Sequence, residues 1–191
     1  MKPFESESQR YEYPLTPESV VVDCGAYKGE FSRKIIGKYG CKVIAFEPCM
    51  DFYAGLKRLE ETLPGFLVFR QAVADHEGIA RLNIRNDSTG LFMHSDEAEI
   101  IGKVNLVEFL EGLNVKRVDL LKLNVEGAEF MVLESILEKG AAKMFSHVQV
   151  QFHDCVPDAD KRRAIIVARL TDTHDVMWGT KFVWESYKLR P

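Results

Sequence analysis

The stretch VVVDCGAYKGEF, residues 20–31, constrains the fold more than any other. An apolar run ends in an acid, a glycine-punctuated turn follows, and an amphipathic segment begins. A strand apolar on both faces belongs inside a parallel sheet, and a tight turn into a helix is how such a strand continues. Turns of this kind sit at the carboxyl edge of open α/β sheets, where cofactors bind. The next apolar run, Val43 to Phe46, ends in Glu47 and Pro48, so a second acid stands at the following strand tip.

The remaining periodicity extends this pattern. Strands are expected at Val20–Cys24, Lys42–Glu47, Phe66–Val73, Val118–Leu123 and Val148–Phe152. Helices are expected at Phe31–Tyr39, Asp51–Thr62, Leu106–Leu113, Phe130–Lys139 (closed by Gly140) and Arg162–Leu170. Between His76 and Asn86 apolar and polar residues alternate, followed by the loop Asp87-Ser88-Thr89-Gly90, which reads as a small inserted hairpin within residues 76–105. Two apolar-aromatic runs around Gly179-Thr180 predict a terminal hairpin. The expectation is an α/β chain, mainly parallel with an antiparallel edge, forming one domain over residues 1–191 with residues 1–17 as a short arm.

Composition narrows the partners. At 191 residues and 46% hydrophobic, the chain holds one substantial core with little left for a second. A net charge of -4 argues against a nucleic-acid partner, because phosphate binding needs a basic face. The basic run Lys161-Arg162-Arg163 reads as the solvated face of a helix. Cys24, Cys41, Cys49 and Cys155 show no paired spacing and no nearby His cluster, so no metal is expected and the thiols are read as reduced. No apolar run is long enough to cross a bilayer, and a cytoplasmic protein without a membrane partner is expected.

The turn itself lacks the three-glycine G-x-G-x-x-G spacing of a dinucleotide site. A carboxylate at Asp23, just ahead of the turn, repels a pyrophosphate and suits a cationic ligand. S-adenosylmethionine fits that electrostatic pattern, being a sulfonium with an ammonium and no phosphate. Glu47 is placed to accept hydrogen bonds from both ribose hydroxyls, as a rim acid with little part in the core. Local structural readings stay open: Asp23 capping its own loop, Glu47 as a surface acid before a turn proline, and Gly25 and Gly29 serving turn geometry alone.

VVDCGAYKGEFS, VIAFEP, QAVAD and LLKLNVEGAE, in this order, resemble the FkbM family of S-adenosylmethionine-dependent methyltransferases. The resemblance implies a three-layer, Rossmann-like class I methyltransferase fold with a seven-stranded sheet. It also implies S-adenosyl-L-methionine as cofactor, and methylation of hydroxyl oxygens on natural products, sugars or lipids. On it, Asp23, Gly25, Ala26, Tyr27 and Gly29 line the methionine end, Glu47 and Pro48 the ribose, and Gln71 and Ala72 the adenine. Asn124 belongs to the same cofactor-binding set, although the family usually has an acid there. Glu126 and Glu129 of the EGAE motif would stand near the transferred methyl group.

Methyl transfer to a hydroxyl needs alignment, exclusion of water and a base. Glu126, Glu129, His153 and Asp154 are the candidates at the carboxyl edge, with Glu126, Glu129 and His153 assigned as catalytic. A competing reading makes Asn124 a helix N-cap and Glu126 a first-turn acid favoured by the dipole. His94, in the insertion, reads as a loop residue. The acceptor is expected to be a small or glycan-like molecule, covered by the insertion or by a partner subunit of a homo-oligomer. Two alternatives share this layout: a nicotinamide-dependent oxidoreductase, and a cofactor-binding module without turnover.

Overall fold

The computed structural model describes residues 2–85, 88–90 and 98–191. Eleven strands and five α-helices follow in order: β1 (Val20–Cys24), α1 (Glu30–Tyr39), β2 (Lys42–Phe46), α2 (Met50–Glu60), β3 (Phe66–Phe69), β4 (Ala72–Ala74), β5 (Gly78–Arg85), β6 (Ser88–Gly90), β7 (Ala98–Asn105), α3 (Leu106–Gly112), β8 (Leu120–Leu123), α4 (Glu129–Glu138), β9 (His147–Val150), α5 (Ala159–Leu170), β10 (His174–Thr180) and β11 (Trp184–Leu189).

The main sheet has seven strands in the order β10-β11-β9-β8-β1-β2-β3. Strands β9, β8, β1, β2 and β3 are parallel, and β11 runs antiparallel to both β9 and β10. The chain winds outward from β1 through β2 to β3, then returns to β8 on the other side of β1. This reversal places a crevice at the tips of β1 and β8, where open α/β sheets bind ligands.

Successive side chains of a strand point to opposite faces, and β1 shows why both faces must be apolar. Val21 packs in a cluster with Phe31, Ile35 and Leu56 from α1 and α2. Val22 packs on the other side with Leu110, Phe130, Leu133 and Ile166 from α3, α4 and α5. The arm at residues 2–17 completes the first face rather than standing free. Phe4 packs on Trp178 with ring centroids 5.5 Å apart, and the Arg10 guanidinium lies 3.8 Å from the Trp184 ring centroid. Buried Tyr13 shares a 2.9 Å hydrogen bond with Ser186 and accepts another from Gln149 Nε2 at 2.9 Å.

Three sequence expectations change. The third strand, expected at residues 66–73, is broken at Arg70-Gln71: Phe66–Phe69 stays in the main sheet while Ala72–Ala74 joins a second sheet. That second sheet, β4-β7-β5-β6, replaces the expected simple hairpin, because parallel pairing of β4 with β7 recruits a third segment that no local pattern announces. Ser88–Gly90 is a strand of it rather than a loop, and Asn86 and Asp87 lie outside the described residues. Glu99 of β7 ties this sheet to the main body by accepting from Met50 N–H and from Arg70.

The basic run is also not a plain solvated face. Arg162 makes a bidentate pair with Glu134 of α4, and Arg163 makes one with Glu185 of β11 at 2.6 and 2.7 Å. Glu185 is only 1% exposed, so its charge depends on that partner. Among the described residues, no helix is long and apolar enough to cross a membrane. Arg163→Met is expected to lower stability by about 3–5 kcal/mol, read by denaturant unfolding, because it strands a buried carboxylate. A loss below about 1 kcal/mol, the level of a surface pair, would contradict this.

Candidate active site

The turn after β1 is shaped by what surrounds it. Gly25 has φ 78°, and a Cβ there would lie 1.9 Å from the Asn124 backbone oxygen. Only glycine fits where the β1 and β8 tips meet so closely. Gly25 and Ala26 N–H groups both donate to Phe46 O at 3.0 Å, which binds the turn to the tip of β2. Gly29, at φ 79°, starts α1 where a Cβ would meet Leu56 Cδ2 at 2.7 Å. Tyr27 takes a left-handed conformation at φ 53° and packs edge-on against Phe52.

Asp23 does not present free negative charge to a ligand, contrary to the electrostatic expectation. It is fully buried and ion-paired with Lys122 of β8, Nζ to Oδ1 2.9 Å, while Ser32 Oγ donates to Oδ2 at 2.7 Å. Lys122, 4% exposed in its side chain, also donates to Gly25 O at 2.7 Å and Cys24 O at 3.2 Å. The physical reason is burial: a lysine in a central strand needs a counter-charge, and Asp23 is its register partner across β1 and β8. Neither Lys122 nor Ser32 is among the site residues expected from sequence. A lone lysine inside the apolar run LLKL was the available signal.

Glu47 stands at the tip of β2 but is 3% exposed, so it is not a superficial rim acid. Tyr27 N–H donates to its Oε2 at 2.8 Å and Cys49 N–H to its Oε1 at 3.0 Å. Burial pushes its pKa up to about 7, against the lowering effect of those two hydrogen bonds. One carboxylate thus holds the turn after β1 and the entry to α2 together, and its removal affects the fold as well as any ligand. Pro48 beside it is half-buried.

The EGAE segment folds around Glu129. Helix α4 begins at Glu129 with Ala128 as its N-cap, so Asn124 is not the cap and Glu126 precedes the helix. Glu126 adopts φ 51° and Gly127 φ 102°. Glu129, fully buried, accepts from Val125 N–H at 2.6 Å and Gly127 N–H at 2.9 Å, which holds this left-handed turn. His153 Nδ1 lies 2.9 Å from Glu129 Oε1, and its Nε2 lies 3.6 Å from Glu126 Oε1. Burial lowers the His153 pKa, but the Glu129 hydrogen bond and the Glu129, Glu126 and Asp154 charges outweigh it and raise it overall. Glu129 is thus enclosed by Val125, Gly127 and His153, whereas Glu126 and His153 keep partial exposure.

The structure brings the expected residues into one row. Asn124 at the tip of β8, Gly25, Ala26 and Gly29 after β1, and Glu47 after β2 stand at neighbouring strand ends. Gln71 and buried Ala72 follow β3. Asn124 Oδ1 and Gln71 Oε1 are buried without a hydrogen-bond partner, the condition expected of groups that a ligand satisfies. His94 lies outside the described residues.

Lys122→Met is expected to destabilise the chain by about 3–5 kcal/mol in denaturant unfolding, since it leaves Asp23 charged and unpaired. Adding Asp23→Asn should recover much of that loss. Equal losses in the single and double variants would contradict the pairing.

Comparison with known proteins gives the context. No curated protein matches the chain significantly. The FkbM methyltransferase from Methylobacillus flagellatus superposes with TM-score 0.57 at 16% identity, covering 91% of this chain and 44% of that one. This chain therefore spans less than half of that protein. An rRNA methylase from Streptococcus thermophilus superposes with TM-score 0.57 at 12% identity, covering 93% and 90%. TrmK of M. capricolum, solved with S-adenosyl-homocysteine, gives TM-score 0.55 at 10% identity over 96% and 67%. At these identities the likeness establishes the fold, a Rossmann-like methyltransferase fold with an antiparallel terminal hairpin. The methyltransferase FkbM domain model matches residues 23–177, most of the chain, and the chain belongs to that family.

Proposed function

We propose that this chain is an S-adenosylmethionine-dependent methyltransferase acting on a hydroxyl of a small-molecule, sugar or lipid-like acceptor. The observation that carries the reading is the row Asn124, Gly25, Glu47 and Gln71 across the tips of β8, β1, β2 and β3. Neighbouring strands lie about 4.8 Å apart, so the row suits an extended nucleoside with an amino-acid arm. Glu47 takes the ribose hydroxyls through the lone pairs its two backbone donors leave open. Gln71 Oε1 accepts from the adenine amine. The turn at residues 25–29, drawn against β2 and β8, leaves backbone close to the ligand.

Bound S-adenosylmethionine supplies a methyl group on a positively charged sulfur, already reactive toward a nucleophile. The protein's part is alignment, exclusion of water and proton removal. With Nδ1–H donating a hydrogen bond to Glu129, His153 Nε2 is the atom that takes the acceptor's hydroxyl proton. Glu129 is a positioning residue that sets this tautomer, and Glu126 flanks the same nitrogen. The raised His153 pKa means that the basic form is reached at higher pH than in an ordinary histidine.

The family match leaves the nicotinamide-dependent alternative without an observation in its favour. An RNA acceptor is the second reading, since a protein of this fold is an rRNA methylase. The net charge of -4 favours a small acceptor instead.

Isothermal titration with S-adenosylhomocysteine is expected to show binding, and Glu47→Gln to weaken it about tenfold, the value of one charge-assisted hydrogen bond. Absence of heat at millimolar ligand would remove the cofactor reading. Methyl transfer from labelled cofactor to RNA but not to hydroxylated small molecules would replace the acceptor class.

NMR titration is expected to place the His153 midpoint above 6.5, the ordinary value for histidine, and lower it in Glu129→Gln. The raised pKa contributes stability that is fully present below the unfolded-state pKa and is lost as pH rises through the folded-state value. That contribution should shrink in Glu129→Gln. An unmoved midpoint would separate His153 from Glu129.

A further inference from the structure

At the amino edge of the main sheet, opposite the crevice, lies a cavity of about 570 Å³ that the proposed reaction does not use. It sits where the chain leaves α3 and α4 and enters β8 and β9. Val107, Val115, Ala141 and Met144 form its apolar lining: Val107 is buried and the other three pack against the main core. Exposed Lys116, Lys139 and Lys143 stand around it with one acid, Glu111. Helix α4 separates this place from the catalytic rim, with Glu129 at one end and Lys139 just past the other, about 15 Å away.

Lysines near helix ends ordinarily serve the terminal carbonyl groups. Here the chain closes both ends itself. Beyond α3, Val115 N–H donates to Leu110 O at 2.9 Å, with Asn114 left-handed at φ 59°. Beyond α4, Ala141 N–H donates to Ile136 O at 2.9 Å, with Gly140 at φ 67°. Lys139 is paired with Glu108 at 2.7 Å, but Lys116 and Lys143 have neither an ion pair nor a side-chain hydrogen bond among the described residues. A chain of net charge -4 thus sets two unpaired cations beside an apolar hollow. Two lysines against Glu111 leave one net positive charge there, which matches a monoanion. We propose that this cavity binds a small amphipathic carboxylate, its head held by Lys116 and Lys143 and its apolar body resting on Val115, Ala141 and Met144. The volume is that of a site for one small molecule, and the flexible methionine adapts to varied apolar shapes. The site is independent of the cofactor reading.

The test is an NMR titration of backbone amides with three probes: octanoate, octanol, which keeps the apolar body without the charge, and acetate, which keeps the charge without the body. Octanoate is expected to give saturable shifts at Val115, Ala141 and Lys143 and none at Gly25 or Glu47, with octanol weaker and acetate silent. The double variant Lys116→Gln with Lys143→Gln should weaken octanoate about tenfold, toward the affinity of octanol, while keeping native circular dichroism. Equal affinity for octanoate and octanol, undiminished octanoate binding in the double variant, or no shifts at these amides with millimolar octanoate overturns the assignment. Shifts at these amides with a glutamate-rich peptide but none with octanoate would make the occupant an acidic protein segment and also overturn it. If the double variant does not fold, Lys143→Gln alone decides by the same comparison.

Discussion

The ion pair between Lys122 of β8 and Asp23 of β1 is the constraint on which the candidate site depends. Two charges enclosed in a sheet centre are tolerated only as partners with their remaining hydrogen bonds met. Ser32 takes the second Asp23 oxygen, and Lys122 also reaches the carbonyl oxygens of Cys24 and Gly25. The pair therefore joins the two strands that flank the topological reversal and fixes the course of the turn leaving β1. The close approach of Gly25 to Asn124 follows from that junction.

Two further buried carboxylates, both at the rim, do similar work. Glu47 gathers the N–H groups of Tyr27 and Cys49, and Glu129 gathers those of Val125 and Gly127. The turns after β1, β2 and β8 are thus held by acids that face inward. The charges thus preorganise backbone. A rim built this way excludes water from charges while keeping its shape, which suits a reaction whose main requirement is alignment.

Much of the layered fold was legible in the chain because it rests on local periodicity. The runs VVVDC and KVIAF are apolar on both faces, which demands helices on either side, and the glycine turn announces the β1–α1 junction. The break between β3 and β4 was not legible, since Phe66 to Ala74 reads as one apolar stretch and only the distant β7 draws its second half away. The arm was equally opaque. Nothing near Arg10 or Tyr13 in sequence announces Trp184, Gln149 or Ser186, which lie well over a hundred residues further along.

The candidate site divides in the same way. The chain alone determined which residues gather at the carboxyl edge, because strand ends and turn glycines are local features: Asp23, Gly25, Glu47, Gln71, Asn124, Glu126 and His153 all stand there. Only the tertiary structure decided which way each one works. Whether a carboxylate meets a ligand or a buried lysine depends on its neighbour across the sheet, and strand register is set by packing over the entire core. For that reason Asp23 reads as a ligand group in sequence and functions as a structural counter-ion in the fold.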